Sequence, residues 1–391
     1  MEISIYLDVV PNYCLNTSGK SEKNRLRDTM VIYQDENYFP DIDGYELALV
    51  GVEEDRAAID NDGCAKGPNE IRKSLYSLFD HWHNLKMVDL GNIKAGNSIA
   101  DTYYALNQVL VELIKRHIIP IVIGGGQDLT LTMYKAFELT GNLINIAAID
   151  SMFDIGGEGE TINSRSYLSH IIMHNPNYLF NYTNIGYQSY YVDTASIDLM
   201  KHLLFEYYRL GDLKANIERT EPLIRNANLL TIDMNAFRAA DAPGVKIPSP
   251  NGFNGEEACR MTRYAGMSMK MAAIGIFEYN PEYDLNGITS GLIAEMIWYF
   301  IDGFKNRQDD RPSGDCSDFN HYIVQIEDVV EDVVFLCHKI TGRWWIDMSF
   351  MKNDDPLYER HHYIPCSRED YDTAMRNELP DKWWLFYQKM M

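Results

Sequence analysis

The sequence predicts an α/β fold in which a parallel sheet carries helices on both faces. Four largely apolar runs of strand length are each followed by polar residues, and they lie at 118–123, 143–149, 229–232 and 271–277. Such runs are typical of parallel strands buried on both faces. Segments with helical spacing of apolar residues separate the runs, and this alternation indicates an α/β domain.

Helical spacing is clearest from Ser98 to His117, where apolar side chains recur every three or four residues. Residues 1–44 are polar and aromatic without a strong period, and we interpret them as an N-terminal arm. A further short apolar run at 46–52 marks the beginning of the α/β domain, which we expect over residues 45–304.

The last part of the chain, residues 305–391, has a different pattern. Strand-like runs at 322–326, 333–340 and 343–348 follow one another closely, and Thr341-Gly342 is expected to form a tight turn between the last two. Four of the six tryptophans lie in this part. We predict a small C-terminal α+β appendage rich in aromatic side chains.

Charge and cysteine usage limit the possible partners and the compartment. The 391 residues include 57 acidic and 35 basic side chains, which gives a net charge of −22. A surface this negative repels phosphate backbones and anionic lipids, so neither a nucleic acid nor a membrane is an expected partner. The six cysteines form no C-x-x-C pair. This usage is typical of reduced thiols, and we expect a cytoplasmic protein.

Polar side chains follow the strand-like runs at their carboxyl ends. In open parallel sheets, ligands bind at these ends of the strands. We therefore expect these side chains to converge on one cleft, and they are Gln127, Asp128, Asp150, Asp154, Asp233, Asn235 and Glu278.

Five motifs, in order along the chain, resemble those of the ureohydrolase family, which includes arginase, agmatinase and formimidoylglutamase. They are Gly67-Pro68-x-x-Ile71-Arg72 for G-P-x-x-I-R, Gly124-Gly125-Gly126-Gln127-Asp128 for G-G-D-H-S, Asp150-Ser151-Met152-Phe153-Asp154 for D-A-H-x-D, Asp233-Met234-Asn235 with Arg238 and Ala242-Pro243-Gly244 for D-x-D-x-x-D-P and A-P-G, and Glu278-Tyr279-Asn280-Pro281 for E-V-N-P. The resemblance covers about residues 45–304. It implies a three-layer α/β/α, arginase-like fold.

The resemblance also implies a chemistry. Members of the family hold two manganese ions through two histidines and four aspartates, and they hydrolyse guanidino or formimino C–N bonds. The long C-terminal appendage favours the formimidoylglutamase-like branch. The family also implies that the protein forms homo-oligomers.

The metal ligands depart from the family pattern. Gln127 and Met152 stand at the two histidine positions, and Asn235 stands at one aspartate position. A thioether is a poor ligand for manganese. Three carboxylates remain as candidate ligands, Asp150, Asp154 and Asp233, with Asn235 and Gln127 as weak ones. We therefore predict no cofactor, or at most one divalent cation, which could be Mn²⁺, Mg²⁺ or Ca²⁺.

The resemblance assigns further roles. Asp154 and Glu278 are the candidate catalytic residues, and Glu278 matches the carboxylate that pairs with the cationic nitrogen group of the substrate. Gln127 and Arg238 are further candidates for substrate binding. Arg238 stands at the third aspartate of D-x-D-x-x-D, where its guanidinium could bridge the acids in place of a metal.

Three functional hypotheses follow. In the first, a member of the family with a degenerate two-manganese site is catalytically impaired and binds a small amidine-type ligand or a protein partner. In the second, the protein is an active formimidoylglutamase-like hydrolase of linear amidines that uses a single or altered metal site. In the third, the protein is an assembly protein, and its acidic surface and aromatic C-terminal appendage carry the function. We favour the first hypothesis because Gln127, Met152 and Asn235 replace metal ligands of the family.

Overall fold

The structure of the protein is a computed structural model that describes residues 3–15, 24–82, 84–313, 316–327, 329–351 and 361–391. Within these residues a ten-stranded sheet forms the centre of the fold. Its strands are β1 (Leu7–Asp8), β2 (Val31–Ile32), β3 (Leu47–Val52), β4 (Met87–Ile93), β5 (Ile119–Ile123), β6 (Ile144–Ile149), β7 (Leu179–Tyr187), β8 (Glu206–Arg209), β9 (Leu229–Asp233) and β10 (Ala273–Phe277).

The order of the strands brings the predicted site together. It is β1-β4-β3-β5-β10-β9-β6-β7-β8, with β2 also pairing with β4, and every pair except β1 with β4 is parallel. β10, the last strand of this sheet along the chain, lies between β5 and β9. The carboxyl ends of β5, β10, β9 and β6 are therefore neighbours along one edge of the sheet.

Helices cover both faces, as the sequence predicted. They are α1 (Asn12–Leu15), α2 (Leu26–Thr29), α3 (Gly67–Leu75), α4 (Ile99–Lys115), α5 (Leu129–Ala136), α6 (Tyr167–Ile172), α7 (Thr194–His202), α8 (Leu210–Ala215), α9 (Thr220–Arg225), α10 (Gly255–Met267) and α11 (Ile288–Lys305). Because side chains alternate along a strand, Leu47 and Leu49 pack with α3, α10 and α11, whereas Ala48 and Val50 pack with α4 and α5. The three-layer α/β/α fold is confirmed.

Local chemistry explains where two of these helices begin and how they are held. Ser98 and Asp101 form a reciprocal capping box at the beginning of α4, which satisfies backbone N–H groups of the first turn. In α3, Arg72 is completely buried and forms a two-point ion pair with Asp89 of β4, at 2.8 and 2.9 Å. The arginine of the Gly67-Pro68 motif therefore joins a helix to the sheet.

The C-terminal part forms a separate antiparallel sheet, which confirms the predicted α+β appendage. Its strands, in order across the sheet, are β11 (Phe319–Val324), β12 (Val333–His338), β13 (Trp344–Asp347) and β14 (Tyr363–Cys366), followed by α12 (Arg368–Ala374) and α13 (Asp381–Met390). Gly342, with φ of +69°, lies in the turn between β12 and β13. Trp383 and Phe386 of α13 pack with Phe335 and Ile346 in the core of the appendage.

In the described parts of the chain, no helix combines the length and the apolar character that crossing a bilayer requires.

Candidate active site

The loop after β5 brings Gln127 into the interior. Gly124 has a φ of +88°, and a Cβ at this position would lie 2.3 Å from Cγ of Pro68, so only glycine lets the loop pass the beginning of α3. The Gln127 side chain is completely buried, and its Nε2 donates to Oγ1 of Thr231 at 2.8 Å. Its Oε1 has no hydrogen-bond partner within the described ranges.

Two aspartates lie just beyond the end of β6. The backbone N–H of Met152 donates to Oδ1 of Asp150 at 2.9 Å, which holds this carboxylate at the turn. Asp154 has a φ of +51°, a strained conformation for a residue with a side chain. Oδ2 of each aspartate is buried and accepts no hydrogen bond from the part of the chain that the structure describes. A buried oxygen of this kind is costly unless a donor or a cation satisfies it.

A third aspartate is the last residue of β9. Oδ1 of Asp233 accepts hydrogen bonds from the backbone N–H of Asn235 at 2.6 Å and from its Nδ2 at 2.8 Å. The amide of Asn235 therefore orients the acid rather than replacing it. A carboxylate at this position could not donate the hydrogen bond that Nδ2 makes.

The three aspartates form one cluster. Carboxylate oxygens of Asp150, Asp154 and Asp233 all lie within 4.8 Å of one another. Burial raises the pKa of Asp154 to about 8 and the pKa values of Asp150 and Asp233 well above their ordinary range, and repulsion between the neighbouring acids adds to this effect. Such a cluster favours either bound protons or a bound cation.

The predicted bridge by Arg238 is wrong. The exposed guanidinium pairs with Asp241, three residues further along the chain, and it does not reach into the cluster. A nearby surface carboxylate competes successfully because holding an arginine in water costs less than burying it. Arg238 is also not among the residues that line the cavity described below, so the structure does not support a direct role in substrate binding.

Glu278 follows β10 and is held in a defined position. Its Oε1 accepts from the backbone N–H of Gln127 at 2.8 Å, and its Oε2 accepts from Nδ2 of Asn61 at 2.8 Å. Glu278 has a φ of +65°, so the backbone leaves the strand conformation at this residue. Burial raises the pKa of this carboxyl, against the opposing effect of the two hydrogen bonds. The acid is fixed but not neutralised by a cation in direct contact.

Asp128 is a further buried acid beside the site. Its Oδ2 accepts from the hydroxyl of Tyr103 at 2.5 Å, and burial raises the pKa of Asp128 to about 7. Its Oδ1 lies 2.3 Å from the point where a Cβ of Gly126 would stand. Gly126 takes the place of the aspartate in G-G-D-H-S, so the side chain of Asp128 occupies the space that this aspartate would begin to fill.

A cavity of about 220 Å³ opens at this edge of the sheet. Asp154, Asp233 and Glu278 line it, with Met152 and Asn235, while Asp150 and Gln127 lie behind them, completely buried. Sequence patterns did not predict several further lining residues, among them Asn61, Arg165, Tyr191 and Lys246. They come from loops, where neither period nor a strand end signals a role.

The donor set fits one divalent cation better than two. Three clustered carboxylates are suitable ligands for Mn²⁺ or Mg²⁺, and two of them have an oxygen without a hydrogen-bond partner among the described residues. The two histidine positions offer no imidazole, because Met152 presents a thioether and Gln127 already donates its amide nitrogen to Thr231. The prediction that no cofactor is needed is not supported, since the described acids in this cluster lack a cationic partner among the protein side chains in contact with them.

Comparisons with known proteins agree with this architecture. The sequence model of the arginase family matches residues 45–302. A formimidoylglutamase of Staphylococcus haemolyticus is 28% identical over 261 residues, which cover 64% of this chain and 82% of that protein. A formimidoylglutamase of a Geobacillus strain is 28% identical over 279 residues, which cover 67% and 85%.

Solved structures show the same fold. The formiminoglutamase of Trypanosoma cruzi, crystallised with manganese, aligns over 73% of this chain and 100% of that chain, with a TM-score of 0.66 and 18% identity. The formimidoylglutamase of Bacillus subtilis aligns over 75% and 95%, with a TM-score of 0.67 and 17% identity. Since its family match spans most of the chain and its site lies where the motifs of that family place it, this protein belongs to the arginase family and resembles the formimidoylglutamase branch.

Proposed function

We propose that the protein is a hydrolase of linear amidine C–N bonds that works with a single divalent cation. The observation that carries the proposal is the cluster of Asp150, Asp154 and Asp233, whose oxygens lie within 4.8 Å of one another in a buried site. Two of these oxygens are buried and accept no hydrogen bond from any described residue. A purely structural cluster would satisfy them with donors from the protein.

The three aspartates would hold the cation, and Asn235 would keep Asp233 in position through its two hydrogen bonds. When bound, a divalent cation supplies Lewis acidity and a water-derived nucleophile near neutral pH. Asp154 lines the cavity, so its oxygen that does not hold the cation could accept a proton there. A bound cation would lower the pKa of Asp154 from its cation-free value of about 8 and so keep the carboxylate ionised for this role.

Glu278 would orient the substrate. Both carboxylate oxygens already accept one hydrogen bond each, from Gln127 and Asn61, and each keeps a further lone pair for the cavity. An amidinium group carries N–H donors and a positive charge, which a buried carboxylate recognises well. Gln127 contributes through its backbone N–H, which positions the acid rather than touching the substrate.

Arg165 and Lys246 favour a substrate with an anionic group. Both line the cavity whose inner side is formed by carboxylates, and Arg165 also lies 3.7 Å from the exposed lining residue Asp60. A linear amidine with a carboxylate at its other end would place its cationic group on Glu278 and its anionic group near these two cations. A substrate with a second cationic group would meet repulsion at the same place.

The test is turnover by the purified protein with formimino and guanidino compounds that do or do not carry a carboxylate, after loading with Mn²⁺ or Mg²⁺. We expect release of ammonia, formamide or urea, faster for a carboxylate-bearing amidine. Asp154→Asn should lower kcat by at least about 100-fold, whereas Asp198→Asn, a change of an exposed aspartate on α7, should not. Absence of turnover with every compound and both metals would contradict the proposal.

A second function, binding of an amidine-type ligand or partner without turnover, is favoured by one observation. The thioether of Met152 lines the cavity at a position where the family carries a metal-binding imidazole. In this case the amidine would bind in the cavity, measured by calorimetry, but no product would form under any metal condition. Product formation that requires Asp154 would exclude it.

A further inference from the structure

A second cavity, of about 760 Å³, lies between the helical layer and the appendage. Helices α9 and α10 form one side, and the strands β11 to β14 with the beginning of α12 form the other. None of its lining residues lines the active-site cavity. Its volume is in the range of sites that bind small organic ligands.

One wall of this cavity is aromatic. The ring of Trp344 lies 5.0 Å from that of Tyr322 and 5.2 Å from that of Tyr371, with an angle of 25° between the planes of Trp344 and Tyr371. Trp344 and Tyr322 line the cavity and are only partly buried. A supported tryptophan with accessible ring surface is a suitable platform for stacking a planar heterocycle.

Arginines surround this platform. Among the described residues that line the cavity, five arginines face three glutamates, in a chain whose net charge is −22. The arginines are Arg219, Arg225, Arg263, Arg343 and Arg368. Asp302, Asp310 and Asp372, just outside the lining, pair with three of these arginines, so the cluster offers closely spaced guanidinium donors for an anion rather than an excess of positive charge.

The outer three arginines are available to a ligand. Arg219, Arg263 and Arg368 form ion pairs with Glu369, Asp302 and Asp372, at 3.3, 2.7 and 3.8 Å, and their side chains are 43%, 38% and 74% exposed. The pairs of Arg219 and Arg368 are exposed on both sides and contribute little free energy, whereas Asp302 is only 22% exposed. A phosphate group could therefore exchange with a carboxylate partner at small cost.

The inner two arginines are fixed. Arg225 and Arg343 both pair with Glu221, at 2.9 and 3.1 Å, and Nη2 of Arg225 donates to the carbonyl oxygen of Trp344 at 3.1 Å. Among the described residues, Nη1 of Arg225 has no hydrogen-bond partner, although this side chain is only 5% exposed. The guanidinium lies over the ring of Trp345, 4.2 Å from the ring centroid, so Arg225 forms a buried wall behind the cavity.

We propose that this cavity binds a purine nucleotide, with the base on Trp344 and the phosphate among the arginines. A nucleotide combines both features on one molecule, a planar ring and a compact anion, and guanidinium groups recognise phosphate through paired hydrogen bonds. The site would allow a nucleotide to act on the protein away from the active site. It does not depend on the function proposed for the aspartate cluster.

Titration of the full-length protein with AMP, GMP and ATP, followed by calorimetry and by tryptophan fluorescence, tests the proposal. Adenosine and inorganic phosphate are titrated separately, since each carries only one of the two features. We expect at least one nucleotide to bind about tenfold or more tightly than either fragment, with quenching of tryptophan fluorescence. Absence of binding by all three nucleotides at millimolar concentration would overturn the proposal, as would equal binding of phosphate alone.

Matched variants locate the site. Arg263→Gln should weaken nucleotide binding by about fivefold or more, whereas Arg260→Gln, one turn earlier on α10 and outside the cavity, should leave it unchanged. Trp344→Leu should abolish the fluorescence change and weaken binding. Trp344 also packs in the appendage. If Trp344→Leu does not fold for this reason, the comparison of Arg263→Gln with Arg260→Gln decides on the location. Equal affinities of Arg263→Gln and Arg260→Gln would contradict the location.

Discussion

The backbone N–H of Gln127 donates to Oε1 of Glu278 at 2.8 Å. The loop after β5 and the end of β10 are therefore tied to each other at the floor of the site. Asn61 holds the other oxygen of the same carboxylate. The position of the acid depends on a backbone group, so the side chain at position 127 can change without releasing it.

Replacing Glu278 tests its proposed contact with the amidinium. In Glu278→Gln, the amide keeps the shape but loses the charge, and one of its two polar atoms can no longer accept. We expect kcat/KM to fall by about 100-fold, because the partner of a buried cationic group is removed. Glu282→Gln, which changes an exposed glutamate four residues away, should keep kcat/KM within about twofold. Equal activities of the two variants would contradict the role of Glu278.

The pH dependence of stability in the cation-free protein has a defined sign. The pKa of Asp154 is raised to about 8, and those of Asp150 and Asp233 are also raised from 3.8. The folded state therefore holds protons that the unfolded state releases. The stabilisation is complete below about pH 4 and is lost as the pH rises through about 8.

We therefore expect the Tm of EDTA-treated protein to fall between about pH 5 and about pH 8.5, and the Tm of cation-loaded protein to fall less. Asp154→Asn removes one of the titrating groups and should flatten the curve of the cation-free protein. Differential scanning calorimetry across this pH range measures these Tm values. A cation-free Tm that rises with pH, or an unchanged slope in Asp154→Asn, would contradict the acid cluster.

Restoring imidazoles should strengthen manganese binding. In Gln127→His with Met152→His, two nitrogen ligands return to the edge of the aspartate cluster. We expect the affinity for Mn²⁺ to rise by at least about tenfold, since even outer-shell groups affect metal affinity by this amount. The matched control is Gln127→His with Met152→Leu, which keeps the apolar volume at position 152. Calorimetric titration with Mn²⁺ compares them, and equal affinities would show that position 152 does not face the cation.

The glycine at position 124 should be required for the loop before the site. Gly124 and Gly141 both have positive φ, +88° and +65°, but a Cβ at Gly124 would meet Pro68 whereas a Cβ at Gly141 would meet no atom within 4 Å. Gly141→Ala should cost about 1 to 2 kcal/mol for its backbone strain alone. Gly124→Ala should cost about 3 kcal/mol or more, because the clash adds to the strain. Urea unfolding measures both, and equal costs would contradict the close approach to Pro68.

Strands with largely apolar sequences could be predicted, and strands that depend on buried charged or several buried polar residues could not. The runs that form β5, β6, β9 and β10 are largely apolar, with single polar residues such as Asn145 and Thr231, and the structure confirms them. In β4, Asp89 is buried because Arg72 pairs with it from α3. In β7 and β8, Asn181 and Glu206 are buried because they bind each other, at 2.7 Å. Partners this distant in sequence leave no local pattern.

The residues of the site also divide into those whose positions could be predicted from the sequence and those whose positions could not. Asp150, Asp154 and Asp233 could be placed together from the sequence because each follows a parallel strand, and parallel strands end at a common edge. Arg238 could not, because its position depends on the choice between a buried cluster and the nearby Asp241. Arg165 and Lys246 reach the cavity from loops, whose paths no periodicity describes.

The metal content of the purified protein tests the central claim most directly. Elemental analysis after loading with Mn²⁺ and removal of the excess should find one ion per chain at about pH 8, and none in the variant that combines Asp150→Asn with Asp154→Asn. One ion that depends on these aspartates would support the single-cation site. No ion in the unchanged protein, or two ions per chain, would contradict it.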